Sequence, residues 1–187
     1  MASSNRTEYA VLGLLALGAR TGYDIKKMAD GALSHFWNES FGHIYPVLRR
    51  LEGRGLLTST VEPQEGRPDR RVYALTPEGQ ATLQAWFAQP VEPVPPRNEL
   101  LLKLFFAPLA SPEDLRRQIE ANRDAQRAAL DALDALAERV TREEAHNPNL
   151  PAWLLTVDHR RATLRALLDW SDDALDQLPV AAESSAG

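Results

Sequence analysis

A proline at position 46 constrains this chain more tightly than any other residue, because it sits inside a run with helical period. Proline has no amide hydrogen to donate and its ring clashes with the carbonyl one turn back, so it is tolerated only in the first turn or so of a helix. The helix containing Pro46 therefore starts near Ser40 to His43, with Ser40 or Gly42 as its cap. Downstream, Phe41, Ile44, Leu48 and Leu51 recur at helical steps and form one apolar face, while His43, Arg50 and, in part, Val47 and Arg49 point elsewhere. Gly53 and Gly55 bracket the exit, where a helix end calls for positive φ.

The flanking segments decide what such a helix belongs to. Thr7 is placed to cap a first helix running to Leu17, apolar on nearly all sides, after a loose terminus over residues 1–6. Gly18 ends it, and Gly22 opens a second helix from Tyr23 to about Leu33, with Ile25, Met28 and Ala29 inward and Lys26 and Lys27 outward. After the Pro46 helix the period changes. Leu57, Ser59 and Val61 alternate with Thr58, Thr60 and Glu62 as in a strand. A charged turn follows from Pro63 to Arg71, then a short strand over Val72 to Leu75. Thr76-Pro77 opens a fourth helix to about Ala88, with Leu83, Trp86 and Phe87 on one face. Three helices followed by a basic hairpin is the element order of a winged helix-turn-helix.

Pro90, Pro93, Pro95 and Pro96 form a stiff linker over residues 90–97, separating a first domain (1–89) from a helical second one (98–178) and a disordered tail (179–187). Asn98 to Ala107 reads as a short, very apolar helix. Ser111 caps a long one that runs to about Glu144. Along it Leu115, Ile119, Asn122, Gln126, Ala129, Leu133, Leu136 and Val140 step by fours and threes, a heptad seam in which Asn122 and Gln126 would set register. Asn147 to Pro151 breaks the chain, and a last helix spans about Ala152 to Trp170, with Trp153, Val157, Leu164 and Leu167/Leu168 on one side. A single small hairpin has no room to bury both seams, so the pattern predicts a coiled-coil-like homodimerisation module; a self-contained helical subdomain is the alternative. The overall class is mainly α with one small β-hairpin.

The net charge of −5 is unevenly spread, since residues 1–90 carry +1 and residues 91–187 carry −6. The first half has its basic residues clustered, and local field matters more to DNA than total charge. No cysteine is present, which removes disulfides and thiolate metal sites and suits a cytoplasmic protein. Tyr9 to Ala19 is apolar, but it lacks a charged lead-in and a cleavage site, so it does not read as a signal peptide. His35, His43, His146 and His159 show no metal-ligand spacing, and no phosphate loop, nucleophile elbow or cysteine nucleophile occurs. The adjacent pairs Glu143-Glu144 and Asp172-Asp173 read as solvated surface. No enzyme, cofactor or metal site is expected.

The sequence resembles the PadR family of bacterial transcriptional regulators. The resemblance is carried by Tyr9-Ala-Val-Leu-Gly-Leu-Leu, Gly22-Tyr23-Asp24-Ile25, Phe36-Trp37, Ser40-Phe-Gly42-His-Ile44-Tyr45-Pro46-Val-Leu48, Leu51-Glu52, Gly55-Leu56, Gly66-Arg67-Pro68 and Tyr73 through Leu75-Thr76-Pro77-Glu78-Gly79. About 80 residues follow the linker, as in the longer-tailed subfamily. The resemblance implies a winged-helix regulator, usually a repressor, that dimerises through its helical domain and is in many cases released from DNA by a small molecule. A two-fold dimer would place its recognition helices about one DNA turn apart on a near-palindromic duplex. Ser40 and His43 would lie at the base edges, with Arg49 and Arg50 on phosphates or a guanine edge. Tyr45 would touch a phosphate or pack in the core, and Tyr23, Lys26 and Lys27 would meet the backbone. Arg67, Arg70 and Arg71 are expected on the hairpin tip, suited to phosphates or the minor groove. Leu115, Ile119, Asn122, Gln126, Leu133, Leu136, Val140, Val157 and Leu164 are the expected dimer contacts. Phe36, Trp37, Phe105, Phe106 and Trp153 are candidates for a small aromatic or hydrophobic effector, with a plain core role as the simpler reading. A protein-docking winged helix that uses its helical domain as the platform is the rival to DNA binding.

Overall fold

In a computed structural model of the chain, the structure describes residues 2–37, 44–64, 66, 69–93 and 97–178. The expectations for Ser40, Phe41, His43, Arg67 and the tail lie outside these residues. Contacts divide the chain into two compact units, Met1–Pro93 and Val94–Gly187, and the division falls within the proline-rich segment.

In the first unit α1 spans Ala2–Ala16, α2 Gly22–Met28 and α3 Ile44–Gly53; β1 (Leu57–Glu62), β2 (Arg70–Leu75) and α4 (Pro77–Phe87) follow. The helix α1 starts well before Thr7, because no proline or glycine in residues 2–6 stops it. Arg6 on its early turns is tied to Glu92, 3.3 Å away. Thr21 rather than Gly22 caps α2, in a capping box with Asp24: the Asp24 amide donates to the Thr21 hydroxyl, and the Thr21 amide donates to the Asp24 carboxylate. A π-helical turn, Ala29–Leu33, follows α2 directly. Leu12, Ile25, Leu48, Leu51 and Leu57 are almost wholly buried at the centre of one apolar core. Tyr9 stacks on Trp86 at its edge, ring centroids 4.8 Å apart, whereas Phe87 is turned out to solvent.

The end of α3 is set by Gly55, whose φ of +73° lets the Leu56 amide reach back to the Leu51 carbonyl. The strands β1 and β2 pair antiparallel, with Leu57 opposite Leu75 and Glu62 opposite Arg70. The second strand is therefore longer than the alternation predicted, and Arg70 and Arg71 are strand residues rather than part of the tip. The hairpin is fastened to α4 at Gly79. A Cβ there would stand 2.1 Å from the Leu56 carbonyl oxygen, so only glycine permits the approach.

The second unit contains α5 (Glu99–Phe105), α6 (Pro112–Glu143) and α7 (Leu150–Gln177). Asn98 and Ser111 cap the first two with side-chain oxygens. The helices α6 and α7 pack along each other, and Leu130, Leu133, Ala137, Val157, Leu164 and Leu168 form their shared core. This corrects the dimer seam. Leu115, Ile119, Leu133, Val157 and Leu164 are buried within one chain, while Asn122, Gln126, Leu136 and Val140 are half-buried along the edges. The buried row passes through Leu130 and Ala137 instead of Ala129, Leu136 and Val140, as expected where a helix of 3.6 residues per turn drifts off a strict heptad. The last helix also runs about two turns past Trp170, burying Ser171 and Leu175. The Ser171 hydroxyl donates to the Leu167 carbonyl at 2.8 Å, so it needs no other partner. Arg116 covers the end of α7 by donating to the carbonyls of Leu175 and Leu178.

Candidate nucleic-acid interface

The helix α3 buries Ile44, Val47, Leu48 and Leu51 and leaves Tyr45, Pro46, Arg49 and Arg50 exposed. At 100° per residue, the outward line runs through Pro46, Arg49 and Gly53. Tyr45 and Glu52 lie on one flank, Arg50 and Arg54 on the other. Tyr45 is 55% exposed, and its ring lies against the start of α2, where a Cβ on Gly22 would come within 2.8 Å of it. Glycine at 22 thus lets the exposed rings of Tyr23 and Tyr45 sit at one helix junction, and Tyr45 belongs to the surface rather than the core. Lys26 and Lys27 follow on the exposed side of α2. Among the described residues neither lysine, nor Arg49, forms an ion pair.

Arg50, Arg70 and Arg71 are engaged. Arg50 Nε donates to Glu8 Oε1, and Arg54 Nη1 to Glu8 Oε2, each at 2.6 Å. Arg50 was expected to be free for DNA; it faces α1 because it lies on the flank of α3 away from Tyr45, about 100° round the helix from Arg49. Arg70 lies 3.6 Å from Asp24, and Arg71 3.8 Å from Glu52, which also accepts a hydrogen bond from Ser59. Arg20, in the turn after α1, pairs with Glu62 at 3.3 Å, and its carbonyl accepts from the Tyr73 amide at 2.7 Å. The hairpin is thus laced by charge to the turn before α2, the start of α2 and the end of α3. Partial burial would raise the Asp24 carboxyl. The hydrogen bonds from Thr21 and from the Arg20 and Thr21 amides, with the Arg70 guanidinium, outweigh it and hold the group below its ordinary range.

Glu8, Arg54 and Arg20 were not singled out from sequence. A signal for Glu8 existed: it lies one and two turns before Leu12 and Leu15 on the buried face of α1, where a carboxylate needs a partner. The aromatic candidates divide between the units. Phe36 is exposed and Trp37 packs against the first core, with its indole nitrogen buried and without an acceptor among the described residues. Phe105 and Phe106 meet edge to face at 5.2 Å and are exposed, and Trp153 is half-buried on α7. Among the described residues no helix is long and apolar enough to cross a membrane, and no cluster of acidic, histidine or cysteine side chains is placed to hold a metal.

Three packed helices, a two-stranded wing and an outward aromatic and basic helix junction define a winged-helix transcriptional regulator. Residues 11–85 match the transcriptional regulator PadR-like family, and residues 96–179 match the virulence activator alpha C-terminal family. The first unit thus carries a PadR-like transcriptional-regulator domain and the second a virulence activator alpha C-terminal domain. It is 28% identical over 182 residues to the probable transcriptional regulator Rv1176c of Mycobacterium tuberculosis, covering 91% of this chain and 96% of that one. It is 29% identical over 135 residues to the negative transcriptional regulator PadR of Bacillus subtilis, covering 71% and 74%. Its fold is similar to that of Bacillus subtilis PadR in complex with operator DNA, with a TM-score of 0.80 at 24% identity over 92% of this chain and 99% of that one.

Proposed function

We propose that this regulator is a repressor that binds a near-palindromic operator as a homodimer and is released by a small aromatic or hydrophobic effector. The observation that carries the DNA-binding reading is the exposed junction of α2 and α3, where Tyr23, Lys26, Lys27, Tyr45 and Arg49 all face solvent and form no ion pair among the described residues. Arg49, central on the outward line of α3, is placed for phosphate or a guanine edge, and the tyrosines and lysines for flanking phosphates. Ser40 and His43, just ahead of Ile44, would lie nearest the base edges. The wing arginines Arg67, Arg70 and Arg71 would add phosphate contacts, Arg70 and Arg71 by exchanging a carboxylate for a phosphate. Repression is favoured by the likeness to a negative regulator.

The homodimer is supported by the apolar side chains that the second unit leaves exposed: Leu101, Leu102, Phe105 and Phe106 on and just after α5. The open edge of α6 at Asn122, Gln126, Leu136 and Val140 would extend that surface. The effector reading is supported by the buried Trp37 indole N–H, which has no acceptor among the described residues, beside exposed Phe36 in one unit, and by Phe105, Phe106 and Trp153 in the other.

The test is binding of the purified chain to the duplex upstream of its own gene, with excess nonspecific competitor and at two salt concentrations, followed by selection from fragmented genomic DNA. Competitor-resistant binding of one dimer per site, weakened by salt, is the expected result. Failure of both duplex and selected fragments to compete would leave the helical domain as a protein-docking platform.

A further inference from the structure

Among the described residues the Glu8 carboxylate is the most fully enclosed charged group of the first unit, its side chain 8% exposed, and it lies away from the exposed junction of α2 and α3. It is held from two sides by guanidiniums on and just after α3, those of Arg50 and Arg54, which are themselves 44% and 50% exposed. These residues lie one turn apart on the flank of α3 that adjoins Arg49. Their spacing from Glu8 in sequence, 42 and 46 residues, shows that this is a tertiary clamp and not a local helix pair.

We infer that Glu8 is a positioning and specificity-determining residue for DNA binding: it fixes the roll of α3 about its axis and withholds Arg50 and Arg54 from phosphates, so that Arg49 alone leads the helix into the groove. The inference rests on the DNA-binding reading. Its logic is electrostatic. Every cation that reaches phosphate adds to affinity for all sequences alike, and two more on this helix would raise nonspecific binding without raising the operator's advantage. A carboxylate pinned by two short charge-assisted hydrogen bonds gives those cations a partner that phosphate cannot easily displace. It also stops α3 from rolling toward its Arg50 flank, which would carry Arg49 off the outward line.

The experiment compares full-length wild type, Glu8→Gln and the triple variant Glu8→Gln/Arg50→Gln/Arg54→Gln on an operator duplex and on a scrambled duplex, across a series of salt concentrations. Glu8→Gln keeps the shape of the side chain and removes its charge. It is expected to bind the scrambled duplex more tightly, to steepen the salt slope there by about one to two units, and to lower the operator-to-scrambled ratio. The triple variant should return the scrambled slope to the wild-type value. An unchanged slope in a folded Glu8→Gln protein, or a steepened slope that survives in the triple variant, overturns the assignment. If Glu8→Gln does not fold, Arg54→Gln decides: its scrambled slope should match wild type because Arg54 is already withheld, and a slope flatter by about one unit shows that Arg54 reaches DNA and overturns the proposal. Wild-type protein that binds neither duplex at any salt removes the DNA-binding reading itself, a result distinct from all of these.

Discussion

Replacing Leu164 by alanine separates the two roles that the helical domain can assign to its apolar row. Leu164 is fully buried in the shared core of α6 and α7, with Leu130, Leu133, Ala137, Val157 and Leu168 around it. Removing three heavy atoms from such a site costs the transfer term plus the cavity, about 3–5 kcal/mol where the walls do not collapse. The two helices are tied to each other by Arg123–Asp172 at 3.0 Å and Arg161–Asp134 at 2.6 Å. With a urea slope of roughly 2 kcal/mol per molar, the unfolding midpoint of the second unit should fall by about 1.5–2.5 M. The assay is urea unfolding followed by circular dichroism, paired with sedimentation in the absence of urea. The variant should lose stability while its folded fraction keeps a dimer dissociation constant close to wild type. A variant that unfolds at the wild-type midpoint but sediments as a monomer would refute the packing reasoning and return Leu164 to the partner interface.

The remaining predictions concern the first unit. Gly79→Ala must push α4 off the Leu56 carbonyl, losing the cap that joins Thr76 to Gly55 and Leu56, and should cost about 2–4 kcal/mol in a urea titration. Gly53→Ala, with nothing within 4 Å, should be neutral or slightly stabilising and serves as its control. Arg49→Ala should flatten the salt slope of duplex binding by about one unit and reduce operator affinity, measured by titration at several salt concentrations. For Asp24 the folded carboxyl is held below its unfolded value, so its contribution is present above the unfolded pKa of about 3.9 and is lost as pH falls through the lowered folded value. Wild type should therefore exceed Asp24→Asn in urea midpoint by a constant margin near neutrality, and that margin should shrink below about pH 4.

Local signals were read well and tertiary ones were not. The position of α3 follows from Pro46 and the spacing of Ile44, Leu48 and Leu51, and the caps at Thr76 and Ser111 follow from residue type, because each depends on neighbours within a turn. The second strand escaped notice over its first residues because Arg70-Arg71 interrupts the alternation; pairing with β1 supplies what local propensity does not. Ser171-Asp172-Asp173 resembles a helix stop, yet α7 continues, since Ser171 satisfies its hydroxyl on the preceding turn and packs in the interior. The seam of α6 fits a coiled coil and a helical hairpin almost equally, and only the register of α7 distinguishes Leu130 and Ala137 from Ala129 and Val140.

The basic residues of the first unit make the same point in charge, and they bear on Arg70. Read along the chain, Arg50, Arg70 and Arg71 look as available as Arg49; folded, each faces a carboxylate far away in sequence. These pairs are of two kinds. Glu8 is enclosed and its two contacts are 2.6 Å long, so opening it would strand a buried charge. The Arg70–Asp24 and Arg71–Glu52 contacts are 3.6 and 3.8 Å between partly exposed groups, and such pairs are worth about 0–1 kcal/mol. A DNA phosphate can take over Arg70 at little cost, leaving Asp24 to its Arg20, Thr21 and capping contacts. Arg70→Ala should therefore weaken operator and scrambled duplexes by a similar factor and flatten both salt slopes by up to about one unit, with the capping box of α2 intact. Slopes identical to wild type would mean that Asp24 keeps Arg70 in the complex. A loss confined to the operator would mean that the wing acts on the geometry of the groove and not on phosphate charge.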